Sequence, residues 1–403
     1  MGPITMSGKT MSRFSHLHPS DVHGLSLLAV DGVIGTTELV EQVHRAIAGF
    51  APPVGRMPEG TTRGITGLVY RSIHGVTRLV GTASDVTLSR IVPRLPGRAS
   101  TPERERLLAV INGVVGDHLA RRSNPLAIDM RLRRDGRAFN LDDAASVRPG
   151  RRLLIALHGL CMNDLQWRRG EDGAALPDRL AEALGYTPLY LHYNTGRPIA
   201  DNGRDFAVLL EDLVAQWPEP VDELVLLGHS MGGLVALSAC HHAGMEAHVW
   251  PGALRKIVTM GSPHHGAPLE RLGHGVDRLL EISPYSAPFT RLGAIRSAGI
   301  TDLRYGNVTG SLRGPDEAPG LAELPDHVEC HAIAATTDSR ADSLSSRYLG
   351  DGLVPVDSAL GRHVDPSRCL PVHRDHQLVV CNTRHIGLLA HRSVHSTLHD
   401  WLR

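Results

Sequence analysis

The chain has 403 residues, enough for one large domain or for one domain with an appendage of about 100 to 150 residues. Its 42 basic and 42 acidic residues cancel, so no strongly basic face for nucleic acid is implied, and nearly all of the basic ones are arginine. The five cysteines are scattered and form no CxxC pair, which argues against a structural zinc site and a dense disulfide framework and leaves room only for an isolated pair such as Cys369 with Cys381.

Residues 1–20 are polar and irregular and are expected to be disordered. They lack the basic start, apolar core and small-residue cleavage site of a secretory signal, and no stretch is apolar enough to cross a bilayer. The expected location is therefore cytoplasmic, with a peripheral membrane contact left open.

From Asp21 a helical periodicity runs to about Ala48 and breaks at Ala51-Pro-Pro. A second helical stretch carries Ile65, Leu68, Val69, Ile73, Val76, Leu79 and Val80, with Arg63, Arg71 and Arg78 between them. No acidic residue falls between Glu59 and Asp85. A third helix opens at Thr101-Pro102, a cap followed by proline at the first helical position. Residues 21–122 thus read as a helical extension that packs on the following domain or a partner chain, or that lies on a membrane surface through 61–95.

After Asn124-Pro125 the pattern changes to strands alternating with helices, expected to form one catalytic domain over 125–403. A hairpin is expected around Asp135-Gly136. Buried strands follow at Arg152–Leu157, Pro188–Tyr193, Glu223–Leu227, Leu254–Met260, His327–Ala334 and His376–Val380. Helices are expected from Ile199 to Trp217, after Ser230, and from Leu388 to Leu402. Residues 270–325, rich in Gly, Pro and Arg, read as a cap or lid. The fold class is α/β, a mostly parallel sheet flanked by helices.

Residues 228–233 read Gly-His-Ser-Met-Gly-Gly, directly after the apolar run ending at Leu227. A serine at such a strand-to-helix turn is pushed out of the backbone path, where a histidine can reach its hydroxyl. The helix behind it aims its positive end at a developing oxyanion. The histidine in turn needs a carboxylate to fix its tautomer. The acid expected is Asp351, in a glycine-flanked turn after a late strand, with Asp338, Asp342 and Asp357 as rivals. The base expected is His385, between the last strand and the last helix, ahead of His376, His391 and His395. The two oxyanion donors expected are the N–H groups of Met231, after the serine, and Leu160, in the loop His158-Gly159. The 24 histidines show no HExxH pattern, and neither a metal nor a cofactor is expected.

From about residue 127 onward these pieces resemble the α/β-hydrolase superfamily, and within it bacterial lipases and esterases and proteins akin to GPI inositol-deacylase. The resemblance rests on His158-Gly159, the serine turn, Gly261-Ser-Pro-His-His-Gly, Asp351-Gly-Leu-Val-Pro and His385-Ile-Gly-Leu-Leu. Ser262 departs mildly from the Thr usual in such lipases. The resemblance implies a serine hydrolase acting on an ester or lipid-like substrate through an acyl-enzyme on Ser230. An acyltransferase or thioesterase using the same triad is the alternative, and a non-catalytic membrane-associated binding protein the third reading. Residues 1–120 lie outside the resemblance.

Overall fold

The computed structural model describes residues 18–48, 64–94, 100–140, 150–168, 173–266, 297–310, 320 and 322–403. The expectation of disorder over 1–20 falls almost wholly outside them, as does most of the expected lid at 270–325. The chain forms two compact units: Met1–Arg104 with Arg121–Leu126, and Glu105–Ala120 with Ala127–Arg403.

The first unit is built on α1 (Pro19–Ala48) and α2 (Gly64–Ile91). The two run antiparallel: His23 Nε2 meets Asp85 2.8 Å away, and Val30 packs over Gly81, where a Cβ would leave no room. The Arg104 guanidinium bonds both oxygens of buried Asp21 at 2.6 and 2.8 Å, and the Asn124 amide donates to the Gly24 carbonyl at 3.0 Å. These bonds tie α1 to the first turn of the third helix and to the stretch that follows that helix.

That helix, α3 (Pro102–Arg121), opens as its sequence signals, with Thr101 Oγ1 accepting from Arg104 N at 3.3 Å. The division between units runs through it, because residues 105–120 bury Ala109, Val110, Val114 and Leu119 within the second unit. The helical extension expected to run to 122 therefore gives most of its last helix to the unit that holds the sheet.

The sheet has eight strands in the order β2-β1-β4-β3-β5-β6-β7-β8. The hairpin β1 (Arg131–Arg134) and β2 (Arg137–Ala138) turns at Asp135-Gly136, both left-handed, and β1 pairs antiparallel with β4 (Thr187–His192). The remaining pairings, through β3 (Arg152–Leu157), β5 (Glu223–His229), β6 (Leu254–Met260), β7 (Glu329–Ala335) and β8 (Val372–Val380), are all parallel. A parallel sheet covered on both faces needs strands that are apolar throughout. β3 shows why: Leu153, Ile155 and Leu157 join one core with Phe206 and Leu234, while Leu154 and Ala156 join the other with Leu180 and Leu398.

The first core is closed by α5 (Ile199–Gln216) and α6 (Met231–Glu246), the second by α4 (Leu176–Leu184) and α10 (Arg392–Trp401). Three short helices, α7 (Ala298–Tyr305), α8 (Leu344–Tyr348) and α9 (Val356–Ala359), complete the described α-helices. Each fully buried Leu or Ile side chain contributes about 1.5–3 kcal/mol of transfer free energy. The helix expected over 388–402 is interrupted. A 3₁₀ turn, His385–Ala390, ends at extended His391, whose Nδ1 accepts from Ser393 N at 3.2 Å and starts α10. All five cysteines are free thiols, so the pairing left open for Cys369 and Cys381 is not made.

Candidate active site

In an open parallel sheet, chemistry collects beyond the carboxyl ends of the strands. β5 ends there at His229, and Ser230 follows with φ 54° and ψ −123° before α6 begins at Met231. That conformation is strained for a residue with a side chain, of order 1–3 kcal/mol, and persists only where the surroundings enforce it. Three glycines do so. A Cβ on Gly228 would strike Gly232 and Gly233, one on Gly232 the Leu157 carbonyl, and one on Gly233 the Ser262 side chain. Ser230 N donates to the Met260 carbonyl at 2.8 Å, anchoring the turn to β6.

His385 heads the 3₁₀ turn after β8 and is buried. Its Nδ1 lies 2.6 Å from Asp351 Oδ2, and its backbone N donates to the Asp351 carbonyl at 3.2 Å. The other carboxylate oxygen of Asp351 accepts from Leu353 N at 3.0 Å and Val354 N at 2.9 Å. The acid is thus held at both oxygens, with its side chain fully shielded from solvent. Gly350 and Gly352 carry the positive φ values, 52° and 95°, that fold this turn. Of the rival acids, Asp338 and Asp342 bond Ser343 and Arg340, and Asp357 lies beside Arg347 and Arg362.

The His385 ring rides over Gly261 at the end of β6: a Cβ there would sit 3.1 Å from both Nδ1 and Cε1. Its centroid is 4.8 Å from the ring of His229, the residue before the serine, whose Nε2 lies 3.4 Å from the His385 carbonyl oxygen. The His385 imidazole is therefore wedged between the serine turn and the turn after β6.

The His158–Asn163 loop after β3 approaches from the other side. A Cβ on Gly159 would lie 3.0 Å from Ser230 Cβ. Among the described residues, Leu160 N–H meets no acceptor, and Met231 N–H stands at the first position of α6, where no intrahelical acceptor exists. The loop is built rigidly. Tyr193 O–H donates to the His158 carbonyl at 2.7 Å, Cys161 N donates to Thr195 Oγ1 at 3.2 Å, and Asn163 caps the next turn. Gly113 of α3 lies directly against Cys161, and Gly116 against Asn194. Arg133 closes the back of the loop, reaching Asp164 at 2.9 Å and Glu105 at 3.0 Å. Burial pushes the His158 imidazole down to about 4, so it is a neutral packing ring stacked on Tyr193 with 4.5 Å between centroids.

The sequence reading missed this support from α3 and from Tyr193 and Thr195. One signal was present: two glycines three residues apart in a helix, at 113 and 116, mark close backbone approach. The Gly261–Gly266 segment stands behind the site. Buried His264 bonds Thr259 Oγ1 at 3.2 Å, and Ser358 Oγ donates to the Gly266 carbonyl at 2.9 Å.

Among the described residues, Glu329, His331 and His376 offer donor atoms within 4.8 Å of one another. The two imidazoles stack with centroids 4.0 Å apart at 25°, and the Trp401 ring centroid lies 4.7 Å from that of His331. This group lies toward the amino ends of the strands and is a packed stack.

The parallel sheet, the serine turn after β5 and the acid and histidine after β7 and β8 define an α/β-hydrolase fold. Within it, residues 205–313, from α5 past the serine turn and β6, match the family model of the PGAP1-like alpha/beta domain. No curated protein matches the chain. Among solved structures, the mature Bacillus licheniformis lipase BlEst2 is similar at 18% identity and a TM-score of 0.43, over 63% of this chain and 94% of that one. An esterase of Pyrobaculum calidifontis is similar at 15% identity and 0.39, over 63% and 76%. Phospholipase PlaB of Legionella pneumophila is similar at 14% identity and 0.41, over 62% and 59%.

Proposed function

We propose that the chain is a serine hydrolase that cleaves carboxylic esters, of lipase or esterase type, through an acyl-enzyme on Ser230. The observation that carries this reading is the buried His385–Asp351 pair, 2.6 Å apart, held over the turn that strains Ser230. Ser230 Oγ attacks the ester carbonyl while His385 Nε2 takes its proton. The Nδ1–H bond to Asp351 keeps Nε2 free to do so and stabilises the imidazolium that forms. The N–H groups of Leu160 and Met231 receive the oxyanion. His385 then protonates the leaving alcohol, and water, deprotonated by the same imidazole, releases the acid.

A fluorophosphonate probe is expected to label Ser230 of the folded wild type and not Ser230→Ala. Turnover of p-nitrophenyl esters is expected to fall about 10⁴- to 10⁶-fold in that variant. Absence of labelling in folded wild type, or activity that survives Ser230→Ala, would sink the reading. Product analysis with added alcohols or thiols separates hydrolysis from acyl transfer.

A further inference from the structure

The first unit leaves its most apolar surface uncovered. Toward α1, α2 presents Gly67, Tyr70, His74, Thr77, Gly81 and Ser84, small or polar residues that are buried or half-buried. Away from α1, at alternating spacings of four and three, it presents Val69, Ile73, Val76, Val80, Ala83 and Thr87, all exposed. Val76 is 62% exposed and Val80 55%. The residues arranged as a helix–helix seam are therefore the ones left facing out. α1 does likewise with Val22, Leu25, Ala29, Val33, Thr36 and Val40. The two threonines add no polar demand, since Thr36 Oγ1 bonds the Gly32 carbonyl at 2.8 Å and Thr87 Oγ1 the Ala83 carbonyl at 2.7 Å.

Both stripes lie on one side of the hairpin. At about 100° per residue, each sits roughly a third of a turn from its own helix's line of contact, in the same sense when viewed from the amino end. Because the helices are antiparallel, equal senses place both stripes on the same side. The combined face is about 30 Å long and about 20 Å across, roughly 600 Å². A stable interface takes about 600–1,000 Å² from each partner.

We infer that this face pairs with the same face of a second copy of the chain, making a four-helix bundle about a twofold axis. Charge favours this occupant over a lipid surface. Interfacial helices flank their apolar stripe with cations on both edges, whereas neither stripe holds a charge, Arg90 alone of the described cations of α2 comes close to its stripe, and Arg71 and Arg78 lie beyond the exposed Leu68 and Leu79. The peripheral membrane contact expected for 61–95 is thus the competing outcome.

Sedimentation of the full chain at micromolar concentration tests the inference. Wild type is expected at twice the 43.5 kDa chain mass. The double variant Val76→Asp, Val80→Asp, at exposed positions, is expected at the monomer mass with unchanged circular dichroism and ester turnover. Arg71→Glu, on the far side of the helix, is expected to remain dimeric. A monomeric wild type, or a double variant that stays dimeric, overturns the inference. So does wild type that is monomeric in solution and floats with phosphatidylglycerol vesicles, which would give the face to lipid.

Discussion

Ser230 concentrates the chain's local strain. Its φ of 54° is held by neighbours that admit no Cβ at 228, 232 or 233, and by the bond from its own N–H to Met260. Glycine adopts positive φ without the Cβ penalty, but also has more freedom to lose on folding. The strain relieved, of order 1–3 kcal/mol, exceeds the entropy of roughly 0.5–1 kcal/mol lost. Ser230→Gly is therefore expected to remove ester turnover while raising the urea midpoint of unfolding slightly. A midpoint clearly below wild type would mean that the serine side chain stabilises the turn and that the backbone is not strained there.

Between elements, the contribution easiest to overlook is that of α3. Its second half supports the loop that carries Leu160, with Gly113 against Cys161 and the Gly113 carbonyl accepting from Ser297 Oγ at 2.7 Å. A side chain at 113 would push directly on Cys161, one residue from the proposed oxyanion donor. Gly113→Val is expected to lower kcat at least tenfold with KM little changed, because a misplaced donor matters most once the oxyanion forms. Unchanged kcat in a folded variant would separate α3 from the reaction. The sequence showed α3 as a helix and not its role, because periodicity reports which residues are apolar and says nothing of what they pack against. The strands were legible for the opposite reason. β3 and β5 are buried on both faces from their second residue on, so Leu153–Leu157 and Leu224–Leu227 are apolar throughout. Asp351 and His385 could be singled out because the parallel topology fixes which strand ends face Ser230. The break at His391 was hidden because an imidazole that caps a helix leaves the apolar pattern on either side intact.

Over the whole molecule, several of the 24 histidines are buried, which makes the fold sensitive to acid. Burial holds His158 down to about 4 and His264 down to about 3, from an ordinary value of 6.5. His264 Nδ1 has no hydrogen-bond partner among the described residues, and the same is true of His158 Nε2, so a proton on either atom would place a charge in the interior without an acceptor. Both groups bind protons more weakly folded than unfolded. Their contribution to stability is complete above about pH 7 and is lost as the pH falls below 6.5 toward the folded values. Each such histidine adds up to about 1.4 kcal/mol per pH unit to the slope. Asp164 and Asp302, whose carboxyls burial raises above 3.8, act in the opposite sense from the carboxylate end of the range. The clearest loss is therefore expected between pH 6.5 and 5. Urea titrations at pH 7.5, 6.5, 5.8 and 5.0 are expected to show a flat stability that then falls with acid. In His264→Gln the fall is expected to be shallower by about one proton, because the amide retains a bond to Thr259 and cannot be charged. An unaltered slope in that variant would show that His264 is not held neutral, and the acid sensitivity would then belong to other groups.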